Sequence, residues 1–387
     1  MNRFHSHARS TGSGATRSQA GFTLVEVLVV ITIIGILAAL SLPVIRNAMV
    51  RARNTAIRMD IEGIERGVNN YAGEYNDVPP DGSSWLVMNR HLNKAFPRIS
   101  AVDRTLLYNM CHEPNITVPS NNPSGSVFFP TAIDRAEALV LFLGGLSSDE
   151  SRPFTGPGGP FQFVGVAPGD SLIDPQNYQY NTDRTNARFD FDVTRLSLAQ
   201  LPDPTQTVST ANRVVSSDDG DPIPKYFASG RQAPFVYFES RTYGYLADSN
   251  MAPLTPPYNG YADPNVGSIR PYKSKLNPPG AGSFNATNVA EAYRWQNPES
   301  FQVISAGQDD HFGNTPFNPA DATLPAYFLT ETGEILACNP AAGSGPAMLL
   351  PISGYQERTL NPAVENTNLD NLTNFNERLR MEDNLQD

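Results

Sequence analysis

The sequence predicts an α+β chain in which one long N-terminal helix packs on an antiparallel β-sheet with long Pro/Gly-rich loops. Three features carry that expectation: an uninterrupted apolar run near the N-terminus, an amphipathic four-three repeat directly after it, and short β-rich runs separated by Pro, Gly, Asn and Asp clusters. Strands and helices do not alternate as a doubly wound parallel sheet requires, and no internal repeat points to a solenoid.

The apolar run comes first in the argument. Residues 27–45 contain 19 consecutive positions without a formal charge. At about 1.5 Å rise per residue they span roughly 28 Å as a helix, close to a bilayer core of about 30 Å. Before them lies a leader with Arg3, Arg9 and Arg17 among Ser, Thr and Gly, a composition with little to pack. The run is too long for an ordinary secretory signal cut at a site such as Ala39-Leu40-Ser41. A plain signal anchor explains the length and gives no reason for Glu26 at its start, since a carboxylate in hydrocarbon needs a partner.

The repeat follows. Ile45, Met49, Ala52 and Ala56, then Ile57, Ile61, Ile64, Val68, Tyr71 and Tyr75, recur at alternating four and three, with a phase shift near Ala56. The helix is expected to stop near Tyr75, where Asn76-Asp77 precede Pro79-Pro80 and Asp81-Gly82. Gly63, Gly67 and Gly73 weaken it. Heptad pairing with another chain shares the same spacing, but the glycines and the few repeats favour packing on the chain's own sheet.

Strand-like runs fall at residues 126–129, 161–166, 189–193, 234–240, 300–305 and 326–336, the last turned by Thr332-Gly333, and residues 136–143 read as one short buried helix. The final stretch, 356–387, is polar, with Leu369, Leu372, Phe375 and Leu379 at helical spacing, and reads as a short helix or a tail. The organisation expected is a leader over 1–21, a transmembrane helix over 22–45, a helical extension over 46–76, an extracytoplasmic head over 77–355 and the tail.

Composition narrows the function. The chain has 387 residues, 33 prolines, a charged fraction of 17% and a formal charge of -11. Loss of residues 1–21 removes three arginines and no acid, leaving 25 basic against 39 acidic side chains, or -14. Such a surface repels phosphate backbones, so no nucleic-acid partner is expected. Cys111 and Cys338 exclude a four-cysteine zinc site, and they either pair or stand as separate buried residues. Outside the leader only His91, His112 and His311 remain, with no HExxH, GxSxG or GxxxxGK pattern, and no enzyme is expected. Asp218-Asp219 and Asp149-Glu150 read as solvated loop pairs.

The segment Gly21-Phe22-Thr23-Leu24-Val25-Glu26 resembles the processing motif of type IV prepilins and type II secretion pseudopilins, and Pro43 falls where many members carry a helix-kinking proline. The resemblance implies a prepilin peptidase that cuts between Gly21 and Phe22 and methylates the new Phe22 amine. Glu26 would then face the N-terminal amine of a neighbouring pilin or pseudopilin subunit, finding its partner only on assembly. An inner-membrane assembly platform and the lipid bilayer are the other partners implied, with the N-terminus cytoplasmic. The fold implied is pilin-like.

Residues 301–313, with Ser305-Ala306-Gly307 leading into Asp309-Asp310-His311, resemble the strand and calcium-binding loop near the end of major pseudopilins. That resemblance implies a structural calcium held by Asp309, Asp310 and Asp321 with backbone carbonyls. The alternative is a solvent-facing turn with Asp residues chosen for turn propensity. Three functions stay open: a pseudopilin-like subunit of a type II secretion apparatus, a minor type IV pilin with a binding head, and a single-pass anchored binding protein that never polymerises.

Overall fold

A computed structural model describes residues 23–111, 133–165, 171–202, 212–243, 260–263, 265–275, 293–312, 326–329, 335–337, 348–350 and 371–375. The chain divides into two compact units, Met1–Arg51 and Ala52–Asp387. Helix α1 (Leu24–Tyr75) contributes to both. In the first unit it is apolar and exposed from Leu24 to Leu42.

In the second unit α1 buries one stripe, Ile57, Ile61, Ile64, Val68 and Tyr71, at the anticipated four-three spacing. Ile45, Met49, Ala52 and Ala56, on the other side of the phase shift, are exposed. Asn76 ends the helix with φ 55°, the left-handed conformation that an asparagine tolerates at a helix C-terminus.

Helices α2 (Trp85–Ala95), α3 (Ala101–Met110) and α4 (Ala138–Leu143) follow. Every residue of α4 is buried, as its unbroken apolar sequence requires. The described strands are β1 (Phe161–Phe163), β2 (Tyr178–Tyr180), β3 (Leu198–Pro202), β4 (Asn212–Ser216), β5 (Val236–Glu239), β6 (Tyr261–Asp263) and β7 (Gly267–Ile269). After them come β8 (Tyr272–Lys275), β9 (Tyr293–Trp295), β10 (Phe301–Ser305), β11 (Ala326–Leu329), β12 (Ile335–Ala337), β13 (Met348–Leu350) and β14 (Leu372–Thr373).

The sheet of order β14-β10-β5 is antiparallel and lies between two apolar cores. Its side chains alternate between them with the period of two that a strand imposes. Tyr237, Phe301, Val303 and Leu372 join the α1 stripe, whereas Val236, Phe238 and Ile304 join Tyr261, Ile269, Tyr272 and Phe312 on the other face. A second sheet, β13-β12-β11-β8-β9, is antiparallel except for the parallel pair β8 and β11, in which Tyr272 faces Phe328. The architecture is thus the expected α+β, helix on sheet, distributed over several small sheets.

Several expectations change. Residues 189–193 form no strand; Phe189 and Phe191 pack as rings against Tyr226 while the backbone turns at Val193–Arg195. Leu372 and Phe375 do not lie on a helix, because Leu372–Thr373 pair with Ser305 and Ile304 as an edge strand. Helices α2 and α3 were not anticipated. Residues 126–129 and the Thr332-Gly333 turn lie outside the described residues.

Two buried or partly buried polar links position α1 within its unit. Tyr71 Oη lies 2.8 Å from His91 Nε2, and His91 Nδ1 lies 2.9 Å from Asp77 Oδ2. Gln308 Nε2, in the loop after β10, donates to Asn54 Oδ1 at 2.6 Å. A buried side chain with both ends engaged specifies an orientation that apolar packing alone leaves loose.

Candidate functional site

At the start of α1 the sequence Thr23-Leu24-Val25-Glu26 has the spacing of a capping box. Thr23 is the residue before the helix, and its Oγ1 accepts from Glu26 N at 3.2 Å. Glu26 Oε2 in return accepts from Thr23 N and from Thr23 Oγ1, each at 2.8 Å. Glu26 therefore has hydrogen-bond partners within its own chain, which corrects the expectation that it is partnered only on assembly. The reason is local: the third helical position puts a glutamate within reach of the amides that the first turn leaves free.

From Leu24 to Leu42, 19 residues form a helical segment long and apolar enough to cross a membrane, none of it buried. Its hydroxyls are turned inward: Thr32 Oγ1 donates to Leu28 O and Ser41 Oγ to Leu37 O, each at 2.7 Å. Each hydroxyl is thereby satisfied by the preceding turn, leaving the helix exterior apolar. Pro43 lies within α1, and Gly21 and Phe22 lie outside the described residues.

The loop after β10 is shaped by Gly307 and Asp310, at φ 75° and 60°. Asp310 Oδ1 accepts from Gln232 N at 2.8 Å and from Ala233 N at 3.3 Å, and Oδ2 stands 3.5 Å from Arg231 Nη1. Arg231 Nη1 also donates to Gln308 O at 2.5 Å. Asp309 Oδ1 accepts from His311 N at 2.8 Å, a turn within the loop. Asp310 thus ties the loop to residues 231–233, and a calcium there would compete with an arginine for this carboxylate. Asp321 lies outside the described residues, and the carboxylates of Asp309 and Asp310 are engaged by different partners, His311 N and residues 231–233.

Cys111 is buried at the C-terminal end of α3, and Cys338 lies outside the described residues. Of the pair Asp149-Glu150, Glu150 is at the surface beside Arg98, and Asp149 is partly exposed and engaged by Ser151 and Arg152. Ser100 and Asp103 have N-cap spacing in the sequence, and Ser100 Oγ accepts from Asp103 N at 3.1 Å to start α3.

Comparison with known proteins places the same segment. Residues 16–42 match the family described as the prokaryotic N-terminal methylation motif. The chain is 42% identical over 55 residues to type II secretion system core protein G of Pseudomonas aeruginosa, covering 14% of this chain and 39% of that protein. It is 38% identical over 66 residues to a type IV major pilin protein of Neisseria gonorrhoeae, covering 17% of this chain and 40% of that protein. A probable minor fimbrial protein of Dichelobacter nodosus is 27% identical over 120 residues, 31% of this chain and 67% of that protein. The chain spans about two fifths of the length of the first two relatives. No solved structure matches. By its N-terminal methylation motif the chain is similar to type IV pilins and pseudopilins at its N-terminus, and its apolar helix and α+β architecture accord with that likeness.

Proposed function

We propose that the chain is a pseudopilin-like structural subunit of a type II secretion apparatus, anchored in the inner membrane by residues 22–45 and polymerising through its N-terminal helix. The observation that carries this reading is the exposed apolar helix opening on the Thr23–Glu26 cap, within the residues that match the methylation motif, together with the similarity to core protein G over 55 residues. A prepilin peptidase cuts between Gly21 and Phe22 and methylates Phe22, and the leader stays on the cytoplasmic side. Assembly buries the apolar exterior of Leu24–Leu42 against other subunits, with Glu26 fixing register at the new amine. The role is structural, not catalytic.

A second reading, a minor type IV pilin with a binding head, has one observation of its own: the similarity to the Dichelobacter protein extends over 120 residues and so beyond the helix. The first experiment is the N-terminal residue and intact mass of the protein from its host's membranes. N-methylated Phe22 is the expected result; an intact Met1, or a cut near Ser41, overturns processing and with it both readings. Deletion with an assay of exported proteins then separates the two, because loss of secretion supports the first and loss of surface adhesion with normal secretion supports the second.

A further inference from the structure

A group of carboxylates unrelated to the N-terminal helix or the loop after β10 meets where the start of α4 faces the turn after β4. Asp134 and Glu137 come from the first, Asp218, Asp219 and Asp221 from the second, and Lys225 stands among them. Asp218-Asp219, expected as a solvated pair, is therefore corrected: the Asp219 carboxylate turns inward.

The lysine is already matched. Its Nζ is 3.2 Å from Asp134 Oδ2 and in contact with Asp218 Oδ2. That leaves Glu137, Asp219 and Asp221, each offering a carboxylate oxygen, all within 4.8 Å of one another. Glu137 and Asp221 are 0% and 2% exposed. Glu137 Oε2 accepts from Asp134 N at 2.9 Å and Asp221 Oδ1 from Ile223 N at 2.7 Å. Their other oxygens, Glu137 Oε1 and Asp221 Oδ2, are buried and accept no hydrogen bond among the described residues.

Such oxygens are costly to bury without a compensating charge or proton. Burial pushes the carboxyls of Glu137, Asp219 and Asp221 well above the ordinary range, and mutual repulsion adds to it. The backbone holds them together regardless. Asp219 Oδ1 accepts from Asp221 N at 3.1 Å, Ser216 N donates to Asp221 O at 2.7 Å, and Gly220 at φ 84° turns the chain between them.

We propose that Glu137, Asp219 and Asp221 bind one hard divalent cation, and that calcium is the ion the site takes. An all-carboxylate oxygen set selects a hard ion over zinc or copper. Calcium, at about 2.3–2.6 Å from oxygen, accepts an irregular set of carboxylates, whereas magnesium, at about 2.0–2.1 Å, demands near-octahedral geometry and keeps several of its waters. The ion crosslinks α4 to the turn after β4, a link distant in sequence from the loop at Asp309 and Asp310.

Equilibrium dialysis of radioactive calcium against the detergent-solubilised, chelator-stripped full chain tests this, independently of whether the chain assembles. The expected result is saturable calcium binding below about 1 mM, the weak end of known protein sites. Glu137→Gln and Asp219→Asn each weaken one bound ion at least tenfold, and Asp310→Asn leaves that ion in place. Asp219 is partly exposed, so its variant keeps the fold even where Glu137→Gln does not. Absence of saturable binding by the wild-type chain, equal affinity in the folded Asp219→Asn chain, or loss of the ion in Asp310→Asn alone overturns the site.

Discussion

Thr23 and Glu26 close on one another at the first turn of α1, the glutamate accepting from the threonine's amide and hydroxyl and the threonine hydroxyl accepting from the glutamate's amide. The pair satisfies backbone donors at the point where the chain becomes apolar. In the proposed subunit Glu26 thus has its polar contacts already made before assembly, which would exchange or extend those contacts instead of supplying the first ones.

This arrangement separates two roles of Glu26. Thr23→Ala removes the hydroxyl half of the cap and keeps the carboxylate; Glu26→Ala removes both the cap and the proposed assembly contact. Crosslinking of filaments in the host is expected to show near-wild-type incorporation for Thr23→Ala and none for Glu26→Ala, with both proteins in the membrane fraction. Equal loss in the two variants would reduce Glu26 to a capping residue.

Gly67 and Gly73 are predicted to differ in sign. A Cβ at Gly67 would meet Arg188 O and Phe189 Cβ at 3.2 Å, and the Arg188 amide is itself held by Leu143 O at 2.8 Å, so that strand of chain has little room to move. Gly67→Ala should therefore lower the denaturation midpoint despite its better helix propensity. Nothing lies within 4 Å of a Cβ at Gly73, and Gly73→Ala should stabilise by about 0.5–1 kcal/mol.

Tyr71→Phe leaves His91 Nε2 buried without the phenol at 2.8 Å. The expected cost is about 1–3 kcal/mol, read by chemical denaturation. Burial holds the His91 pKa below its ordinary value, with Asp77 opposing. A lowered histidine contributes stability that is present above its unfolded pKa of about 6.5 and is lost as pH falls toward the folded value. Replacing His91 with Gln should flatten that part of the pH profile.

Asp81 takes Arg135 Nε at 2.9 Å in a fully buried pair, with Ser83 and Thr242 also donating to it. Burial alone would raise the Asp81 pKa, but Arg135 and the two hydroxyls outweigh it and hold it below the ordinary value. Asp81→Asn strands the guanidinium charge and should cost about 3–5 kcal/mol. A measured cost below about 1 kcal/mol would show that the Gly260 and Thr242 carbonyls, to which Arg135 also donates at 2.7 and 3.3 Å, suffice to hold its charge.

Glu239 behaves oppositely. Burial, reinforced by Asp81 and countered by Arg241, pushes its pKa up to about 7 from 4.5. A raised pKa means that the folded chain binds the proton more tightly, so the contribution is fully present below about 4.5 and is lost as pH rises through about 7. At about 1.4 kcal/mol per unit this amounts to a few kcal/mol. Glu239→Gln should abolish the decline between pH 5 and 8 in denaturant midpoints of the solubilised chain.

The long helix, its stop at Tyr75, its buried stripe and the methylation-type motif were legible because each depends on neighbours within a turn or two. Apolar periodicity, the Asn76-Asp77 break and Gly21-Phe22 with Glu26 are local patterns, and local patterns survive without coordinates. Strands β5 and β10 were legible for the same reason, being short β-rich runs between breakers. Helices α2 and α3 were less so, each about three turns long and mixing apolar with polar residues.

By itself, then, the sequence determined that this chain opens on a methylation-type motif and an apolar helix, because spacing and hydrophobic length are properties of consecutive residues. Only the tertiary structure decided that Leu372 pairs with Ser305 as a strand, that Gly67 is needed for the approach of Arg188, that Asp310 is engaged by residues 231–233, and that Glu137 meets Asp219 and Asp221. Those are encounters between segments tens of residues apart. Their energies depend on burial and on which charge faces which, and neither exists until the chain has folded.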